Sequence, residues 1–332
     1  MKTQSKLKFI DLFAGIGGIR IAFENVGAEC VYSSEWDKDA QATYEANFGE
    51  KPDGDIIQVE PNSIPDHDIL TGGFPCQSFS IIGKRMGVRD TRGTMFFEIE
   101  KILKAKHPYS FLLENVKQLV TINGKETFFT MLQKLKDLGY FVHWKVLNGL
   151  DYGWPQKRER VIIVGFKQNH PFKFPDKKET RIKLEELLDP DDKVEAKHFI
   201  SDRIKQKLAV KVNKKYDYAT IWHENKSGNI GIHDYSCALR ANASYNYLLV
   251  NGTRRPTPRE MLRLMGFPEN FKIVVNDSAI RKQAGNSVVI PVIQAVAEQI
   301  ILALKQEPVE EIERVVEYEP VQQPLLMFEQ VA

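Results

Sequence analysis

The stretch Lys8-Phe9-Ile10-Asp11-Leu12-Phe13-Ala14-Gly15-Ile16-Gly17-Gly18 decides how the chain is interpreted. Its first five residues are typical of a buried strand, and the glycines that follow predict a turn. Apolar residues at helical spacing come next, from Ile19 to Val26. Strand, glycine-rich turn and helix are the nucleotide-binding opening of a doubly wound α/β domain. The glycine spacing differs from G-x-G-x-x-G, which disfavours a nicotinamide cofactor.

The residues after this opening add a candidate cofactor site. A second strand, residues 30–34, ends in Glu35 and Trp36. An acidic residue about 20 positions after the glycines accepts hydrogen bonds from ribose hydroxyls in folds of this kind. Asp55 follows a glycine and is expected to end a loop over the cofactor.

A cysteine loop follows the next apolar strand, in the sequence Gly72-Gly73-Phe74-Pro75-Cys76-Gln77-Ser78-Phe79-Ser80. Glycine and proline turn the chain sharply here and present Cys76. A helix start soon after it would favour the thiolate, the nucleophilic form of the side chain. The alternative is a buried structural cysteine. Spaced glycines among Lys84, Arg85, Arg89 and Arg92 then predict either a loop that closes on an anion or an ordinary surface loop.

Further polar residues stand where strands begin or end. Glu114-Asn115 closes an apolar strand, which is where such folds bind ligands, although a solvated glutamate is common there too. The run Gln156-Lys157-Arg158-Glu159-Arg160 leads into the strand 161–166. Because Arg158 and Arg160 are two residues apart, we expect them to share one face.

Length and composition limit the class of protein. The chain has 332 residues, which predicts about two domains. It contains no run of about 20 apolar residues that would span a membrane, and its polar N-terminus lacks the long apolar core that a signal peptide has. Cys30, Cys76 and Cys237 are far apart and outside metal-ligand spacing. We therefore expect a reduced, cytoplasmic protein without a metal, and a monomer.

Charge is spread unevenly along the chain. The residues from Glu307 onward carry a net charge of −6, and we expect them to be a disordered acidic tail. The remainder is basic, and Lys193–Lys215 has eight Lys or Arg against two acids. That segment suits either phosphate contact or a solvated helix face. The sequence Gly285-Asn286-Ser287-Val288 is predicted to open the last strong helix, residues 289–304.

Taken together, these motifs resemble the bacterial DNA (cytosine-5) methyltransferases of restriction–modification systems, of the HhaI methylase type. The resemblance rests on residues 11–18, 75–77, 114–116, 156–160 and 285–288, and on Arg259-Glu260, in the family's order and spacing. It implies an α/β, Rossmann-like S-adenosylmethionine-dependent domain with a smaller, strand-rich target-recognition domain. We expect residues 1–186 and 262–305 to form the catalytic domain, 187–261 the target-recognition domain and 306–332 the tail.

The resemblance also implies roles for individual residues. Cys76 would be the nucleophile that adds to carbon 6 of a flipped-out cytosine. Glu114 would stabilise charge at N3 and Arg160 would hold O2, while Arg158 would lie near the adjacent phosphate and the cysteine sulfur. The residues expected to bind S-adenosylmethionine are Phe13, Gly15, Gly17, Glu35, Trp36, Asp55, Pro75, Asn286 and Ser287.

Double-stranded DNA is the partner that the resemblance implies. Ile82 stands where the HhaI-type enzyme has a serine, and it would be an apolar wedge in the gap that the cytosine leaves. The candidate DNA contacts are Ile82, Arg92, Arg240, Asn242, Ser244 and Tyr245. Arginine reads guanine and asparagine reads adenine in the major groove, although several of these residues could serve loop structure instead.

Alternative functions follow from the same residues. A tRNA cytosine-5 methyltransferase would use the same catalytic domain, although the long variable segment favours DNA. A non-catalytic DNA-binding relative conflicts with the intact Cys76, Glu114 and both arginines, and a nicotinamide dehydrogenase leaves the cysteine loop unexplained. In the tail, Gln323-Pro324-Leu325-Leu326-Met327-Phe328 loosely resembles motifs that dock on sliding clamps, and a tail that binds nothing is the alternative.

Overall fold

The computed structural model describes residues 6–75, 95–212, 214, 216–225, 227–244 and 246–309. Within them the chain alternates strands and helices through its first half, as an α/β domain does. The strands are β1 (Lys8–Leu12), β2 (Glu29–Ser34), β3 (Ile69–Gly73), β4 (Ser110–Val116), β5 (Phe141–Asn148), β6 (Gln156–Lys157), β7 (Glu159–Phe166), β8 (Ile221–Glu224), β9 (Ile230–His233), β10 (Ser236–Cys237) and β11 (Leu248–Val250).

The described residues form eight α-helices. They are α1 (Gly18–Asn25), α2 (Lys38–Phe48), α3 (Met95–Lys106), α4 (Glu126–Asp137), α5 (Asp202–Lys211), α6 (Pro258–Met265), α7 (Asp277–Asn286) and α8 (Ile290–Leu304).

The main sheet has the strand order β2-β1-β3-β4-β7-β5. Strands β2, β1, β3 and β4 are parallel, and β7 runs antiparallel to both of its neighbours. After β1 the chain adds β2 on one side and then β3 on the other. In an open α/β sheet, such a change of direction leaves a crevice at the carboxyl ends of the strands. The glycine-rich turn that follows β1 therefore lies at the expected ligand site.

Alternating residues of each strand fill two apolar layers, one on each face of the sheet. Phe9 packs in one layer with α1 and α8, and its neighbour Ile10 packs in the other with α3 and α4. Because both faces are covered, the central strands are continuous apolar runs, as buried parallel strands usually are. These layers hold the ends of β1, β3 and β4 in fixed relative positions.

Residues 187–261, the predicted target-recognition domain and below called the recognition segment, contain a small antiparallel sheet in the order β11-β8-β9. Ile221 and Val250 face the main body and are fully buried in its apolar layer. On the opposite face, Leu249 packs with Ile200 and with Leu208 of α5. A parallel pairing of β10 with β6 adds a second link to the main body. The division into domains stays a prediction. Its boundary between residues 261 and 262 falls inside α6.

Two sequence-based expectations about helices differ from the structure. Gly285 and Asn286 end α7 instead of opening the last helix, and residues 287–289 form a break before α8. The Asn276 side chain caps a new helix by accepting from the Ala279 N–H group. In addition, residues 187–261, which are predicted to be rich in strands, contain the helix α5.

The stretch Asp277–Leu304 is long and apolar enough to cross a membrane by length and composition. However, it is interrupted between α7 and α8, and α8 packs against α1. Val296, Ala297 and Ile300 of α8 are fully buried. Burial of this kind is that of a core helix in a globular protein.

Candidate functional site

The first part of the site is the crevice between β1 and β3. Gly15 donates its N–H to Glu35 Oε2 at 2.8 Å, and Asp37 donates to Glu35 Oε1 at the same distance. Burial raises the pKa of Glu35, although these backbone donors oppose the rise. Glu35 therefore ties the glycine-rich turn to the end of β2, and its oxygens keep spare acceptor capacity.

The other predicted cofactor residues surround this turn. Trp36 is 74% exposed, which is unusual for so large an apolar side chain and leaves its ring open for stacking. The Phe13 ring lies against β3, since its Cδ2 would be 3.6 Å from a Cβ added to Gly72. Asp55 Oδ1 accepts from the Ile57 N–H at 3.1 Å and caps a short helix. Gly17 is the N-cap residue of α1.

Ser287 closes the crevice from the C-terminal part of the chain. A Cβ added to Gly18 would lie 2.6 Å from Ser287 Oγ, so this hydroxyl rests on the first turn of α1. Asn286 is exposed beside it. Lys282 pairs with Asp37, and Thr43 donates to Gln283 Oε1 at 3.1 Å, which holds α7 against α2. The structure thus brings the first and last motifs of the chain together.

Asp11 is a buried acid that sequence reasoning did not select as a site residue. It is the fourth residue of the apolar strand β1, it is fully buried, and it accepts from Thr71 Oγ1 at 3.1 Å. Its Oδ2 has no hydrogen-bond partner within the described residues. Burial raises the pKa of Asp11 to about 7, against the lowering effects of Thr71 and Arg20. An acid inside the apolar run Lys8–Leu12 was the signal available in the sequence.

We predict that Asp11 makes stability fall as pH rises. Between pH 3.8 and about 7 the folded protein keeps this proton and the unfolded chain releases it. The free energy of unfolding therefore declines across that window, by up to about 4 kcal/mol for a shift of about three pH units. Urea unfolding of wild type and Asp11→Asn at several pH values measures this. As pH rises, the free energy of unfolding of the variant should increase relative to that of wild type. A difference between the two free energies that does not change with pH would refute the prediction.

The second part of the site lies at the ends of β3, β4 and β7. Arg160 Nε pairs with Glu114 Oε1 at 2.9 Å, and both side chains are largely buried. A Cβ added to Gly73 would lie 3.5 Å from Glu114 Oε2, so the carboxylate faces the last residue of β3. The strand register pairs Gly73 with Glu114 directly. A carboxylate and a guanidinium are therefore held beside the start of the cysteine loop.

Asn115 connects β4 to the cysteine loop itself. Its Nδ2 donates to the Phe74 carbonyl at 2.8 Å, and both residues are buried. Pro75 follows Phe74, whereas Cys76, Ile82 and Arg92 lie outside the described residues. The backbone two residues before Cys76 is thus anchored by a side chain next to Glu114. Sequence reasoning quoted Asn115 within a motif but gave it no role.

Arg158 binds backbone carbonyls of three segments that are far apart in the sequence. Its Nη1 donates to the Leu239 carbonyl at 2.9 Å, and its Nη2 donates to the carbonyls of Gly285, at 3.0 Å, and Ser287. Burial lowers the pKa of Arg158, and the nearby charge of Arg160 adds to this effect. Because Cys76 lies outside the described residues, the expected position of Arg158 beside a phosphate and the cysteine sulfur stays a prediction. The residue lies in the break between β6 and β7, where its side chain turns into the protein.

Four of the six candidate DNA-contacting residues belong to the loop between β10 and β11. The Arg240 guanidinium stands over the Tyr247 ring, 5.0 Å from its centroid, and the Arg240 N–H donates to Tyr247 Oη at 2.9 Å. Asn242 and Ser244 are exposed, and Tyr245 lies outside the described residues. Tyr247, which sequence reasoning did not select, therefore holds Arg240 in place.

The basic segment is partly helical. Leu208 is the buried residue of α5, while most of its charged residues are exposed. Lys211 Nζ bonds Glu224 Oε1 at 3.0 Å and the Gly228 carbonyl at 2.7 Å, which ties α5 to the turn between β8 and β9. Phosphate contact and a solvated face both stay predictions for the other lysines.

Comparison with known proteins agrees with this arrangement. A family model described as C-5 cytosine-specific DNA methylase matches residues 7–302. The chain belongs to this family. The resemblance inferred from the motifs, the fold class and the enzyme class, a DNA cytosine-5 methyltransferase, are thereby confirmed.

Individual relatives support the same assignment. The Type II methyltransferase M.NgoBI of Neisseria gonorrhoeae is 58% identical over 87% of this chain and 91% of its own length. M.HhaI of Haemophilus parahaemolyticus is 43% identical over 92% of this chain and 98% of its own. The crystal structure of a DNMT2 variant from Spodoptera frugiperda has a TM-score of 0.72 at 20% identity, covering 91% of this chain and 100% of that one. This last likeness shows the fold alone.

Proposed function

We propose that this methyltransferase modifies cytosine within one short target sequence of duplex DNA, through a covalent bond between Cys76 and carbon 6 of the base. The observation that carries this proposal is the Glu114–Arg160 pair at the ends of β4 and β7, beside Gly73. Asn115 anchors the cysteine loop next to this pair. The nucleophile would therefore enter the same pocket as the groups that bind the cytosine ring.

The chemistry requires this set of side chains. Carbon 5 of cytosine is a weak nucleophile until a thiolate adds at carbon 6, which makes carbon 5 enamine-like. Glu114 would hydrogen-bond N3 and stabilise the charge that develops during this addition. Arg160 would donate to O2 while its Nε keeps the Glu114 carboxylate oriented. After transfer, loss of the carbon 5 proton would release Cys76.

The crevice suits S-adenosylmethionine, which when bound supplies the methyl group from its sulfonium. Glu35 and Asp55 offer carboxylate oxygens there, and the exposed Trp36 ring offers a stacking face for adenine. Ser287 rests against the glycine-rich turn on the opposite side. We assign ribose binding to Glu35, amino-group recognition to Asp55, adenine contacts to Phe13 and Trp36, and closure of the methionine side to Asn286 and Ser287.

We predict that Trp36→Ala weakens cofactor binding about tenfold, because adenine loses its stacking partner. Isothermal titration with S-adenosylhomocysteine measures the dissociation constant without turnover. Trp144→Ala is the matched control, since Trp144 is also partly exposed but lies on β5, at the opposite edge of the sheet from β2. Equal affinities in the two variants would remove Trp36 from the cofactor site.

Recognition of the target is assigned to the loop between β10 and β11. Arg240 is exposed and pre-positioned by Tyr247, so it would lose little side-chain entropy on contacting guanine. Asn242 and Ser244 would contact neighbouring bases or phosphates. Flipping the cytosine out of the duplex costs a few kcal/mol, which contacts across the cleft would offset. The DNA substrate implies action in the bacterial cytoplasm.

Methylation of a mixed-sequence duplex by the purified protein and S-adenosylmethionine, mapped by bisulfite sequencing, tests the proposed function. A parallel reaction contains tRNA in place of DNA. Methylated cytosines confined to one short DNA motif are the expected result. Methylation of tRNA alone would favour the RNA alternative, and scattered methylation of DNA would contradict target specificity.

A further inference from the structure

Arg158 joins three segments that are far apart in the sequence. Its guanidinium donates to the carbonyl of Leu239, which lies in the loop between β10 and β11 that we call the recognition loop. It also donates to the carbonyls of Gly285, at the end of α7, and Ser287, beside the cofactor crevice. The residue is 4% exposed. A charged group this deeply buried strongly resists loss of its acceptors, because each lost bond leaves charge unsolvated. The three carbonyls are therefore held at fixed mutual distances.

The recognition loop also touches α7 directly. A Cβ added to Gly285 would lie 2.3 Å from the Ala241 nitrogen and 2.7 Å from the Arg240 carbonyl carbon. No side chain other than hydrogen fits there without a shift of one backbone against the other. The backbone that carries Arg240 is thus seated on the end of α7, next to the carbonyl that Arg158 binds.

A continuous path of contacts results from Arg240 to the cofactor crevice. The Leu239 carbonyl is bound by Arg158, Arg158 binds Ser287, and the Ser287 hydroxyl rests on Gly18 in the first turn of α1. Arg160, two residues from Arg158, pairs with Glu114 in the cytosine pocket. One short segment therefore contacts the recognition loop, the cofactor side and the base pocket.

We propose that Arg158 is a positioning residue that fixes the register between target reading by Arg240 and the cytosine and cofactor sites. This inference rests on the proposed function. Arg158 itself contacts protein carbonyls, so it acts through Leu239, Gly285 and Ser287 and not on the base. A target sequence then places its cytosine correctly because the loop that reads the flanking bases is tied to the pocket. If the hydrogen bonds of Arg158 are weakened, DNA sequences other than the target can place a cytosine in the pocket nearly as well.

Two variants test this proposal, one by changing the guanidinium of Arg158 and the other by changing the contact between Gly285 and the recognition loop. Arg158→Lys keeps the charge but cannot bind all three carbonyls in the same planar geometry. Gly285→Ala keeps every donor and pushes the Ala241 backbone away. Arg181→Lys is the matched control, since Arg181 pairs with Asp234 near the protein surface. Circular dichroism and thermal melting first establish which variants are folded.

The readout is the ratio of kcat/KM for the mapped target duplex to kcat/KM for duplexes with one substituted base pair. We call Arg158→Lys and Gly285→Ala the junction variants. We expect each of them that folds to lower this ratio at least about tenfold, and we expect Arg181→Lys to leave the ratio unchanged. A second readout is the dissociation constant of S-adenosylhomocysteine with and without target DNA. The factor by which DNA tightens cofactor binding should shrink in the junction variants.

A merely structural role predicts something different. If a folded variant slows methylation of target and substituted duplexes by the same factor and keeps the wild-type coupling, the inference is overturned. If Arg158→Lys does not fold, Gly285→Ala alone decides, and the reverse holds as well. Absence of DNA methylation by the wild type would instead refute the proposed function, so the two failures are distinguishable.

Discussion

Replacing Cys76 by serine is expected to lower the rate of DNA methylation by more than about 10,000-fold, with little effect on cofactor affinity. Serine is far less acidic than cysteine, so it offers almost no anion to add to carbon 6 near neutral pH. Without that addition carbon 5 stays too weakly nucleophilic to accept the methyl group. Initial rates on the mapped target duplex, at saturating cofactor, measure the loss.

The other two cysteines provide the control. Burial raises the pKa of the Cys30 thiol to about 12 and also raises that of Cys237, so both are kept protonated and unreactive. Cys237→Ser should therefore retain the wild-type rate. A target duplex with 5-fluorocytosine should trap wild type and Cys237→Ser as covalent complexes, since fluorine cannot leave as a proton does. Trapping of Cys76→Ser would disprove the assignment.

Arg254→Met is expected to reduce the free energy of unfolding by about 3–5 kcal/mol. Arg254 is 1% exposed and forms a two-pronged pair with the fully buried Glu260, with both N–O distances 2.9 Å. It also binds Asp191 Oδ1 at 2.6 Å and the Asp189 carbonyl at 2.9 Å. Removing the guanidinium leaves the Glu260 carboxylate buried without its counter-charge.

This cluster joins the two ends of residues 187–261, the predicted target-recognition domain. Glu260 also accepts from the backbone N–H groups of Asp189 and Thr257, each at 2.7 Å, the latter at the start of α6. Urea unfolding measures the effect. The double variant Arg254→Met/Glu260→Leu should recover part of the loss, because no charge remains buried, although the two backbone donors stay unpaired. A cost below about 1 kcal/mol for the single change would show that water reaches Glu260.

Much of the fold follows from local patterns. The strand expected at Lys8–Leu12 has those bounds in the structure, and the strand expected over 161–166 lies within Glu159–Phe166. Periodicity predicts such elements because a buried strand or a two-faced helix repeats its apolar residues at the spacing of its own geometry. Glu114 and Arg160 are selected through the motifs that resemble the family, which imply that both contact one cytosine ring. Their 2.9 Å pair fits that selection.

Sequence alone also determined the reaction class, because six motifs in a given order identify a family even though each motif is weak by itself. Only the tertiary structure decided what Arg158 touches. Its acceptors are the backbone carbonyls of Leu239, Gly285 and Ser287. Because every residue has such a carbonyl, no pattern of side chains in the sequence predicts which ones Arg158 binds. The same holds for the burial of Asp11 and for the Arg254–Glu260 pair. Their energetics depend on which distant segments exclude water from them, and that is a property of the packed chain.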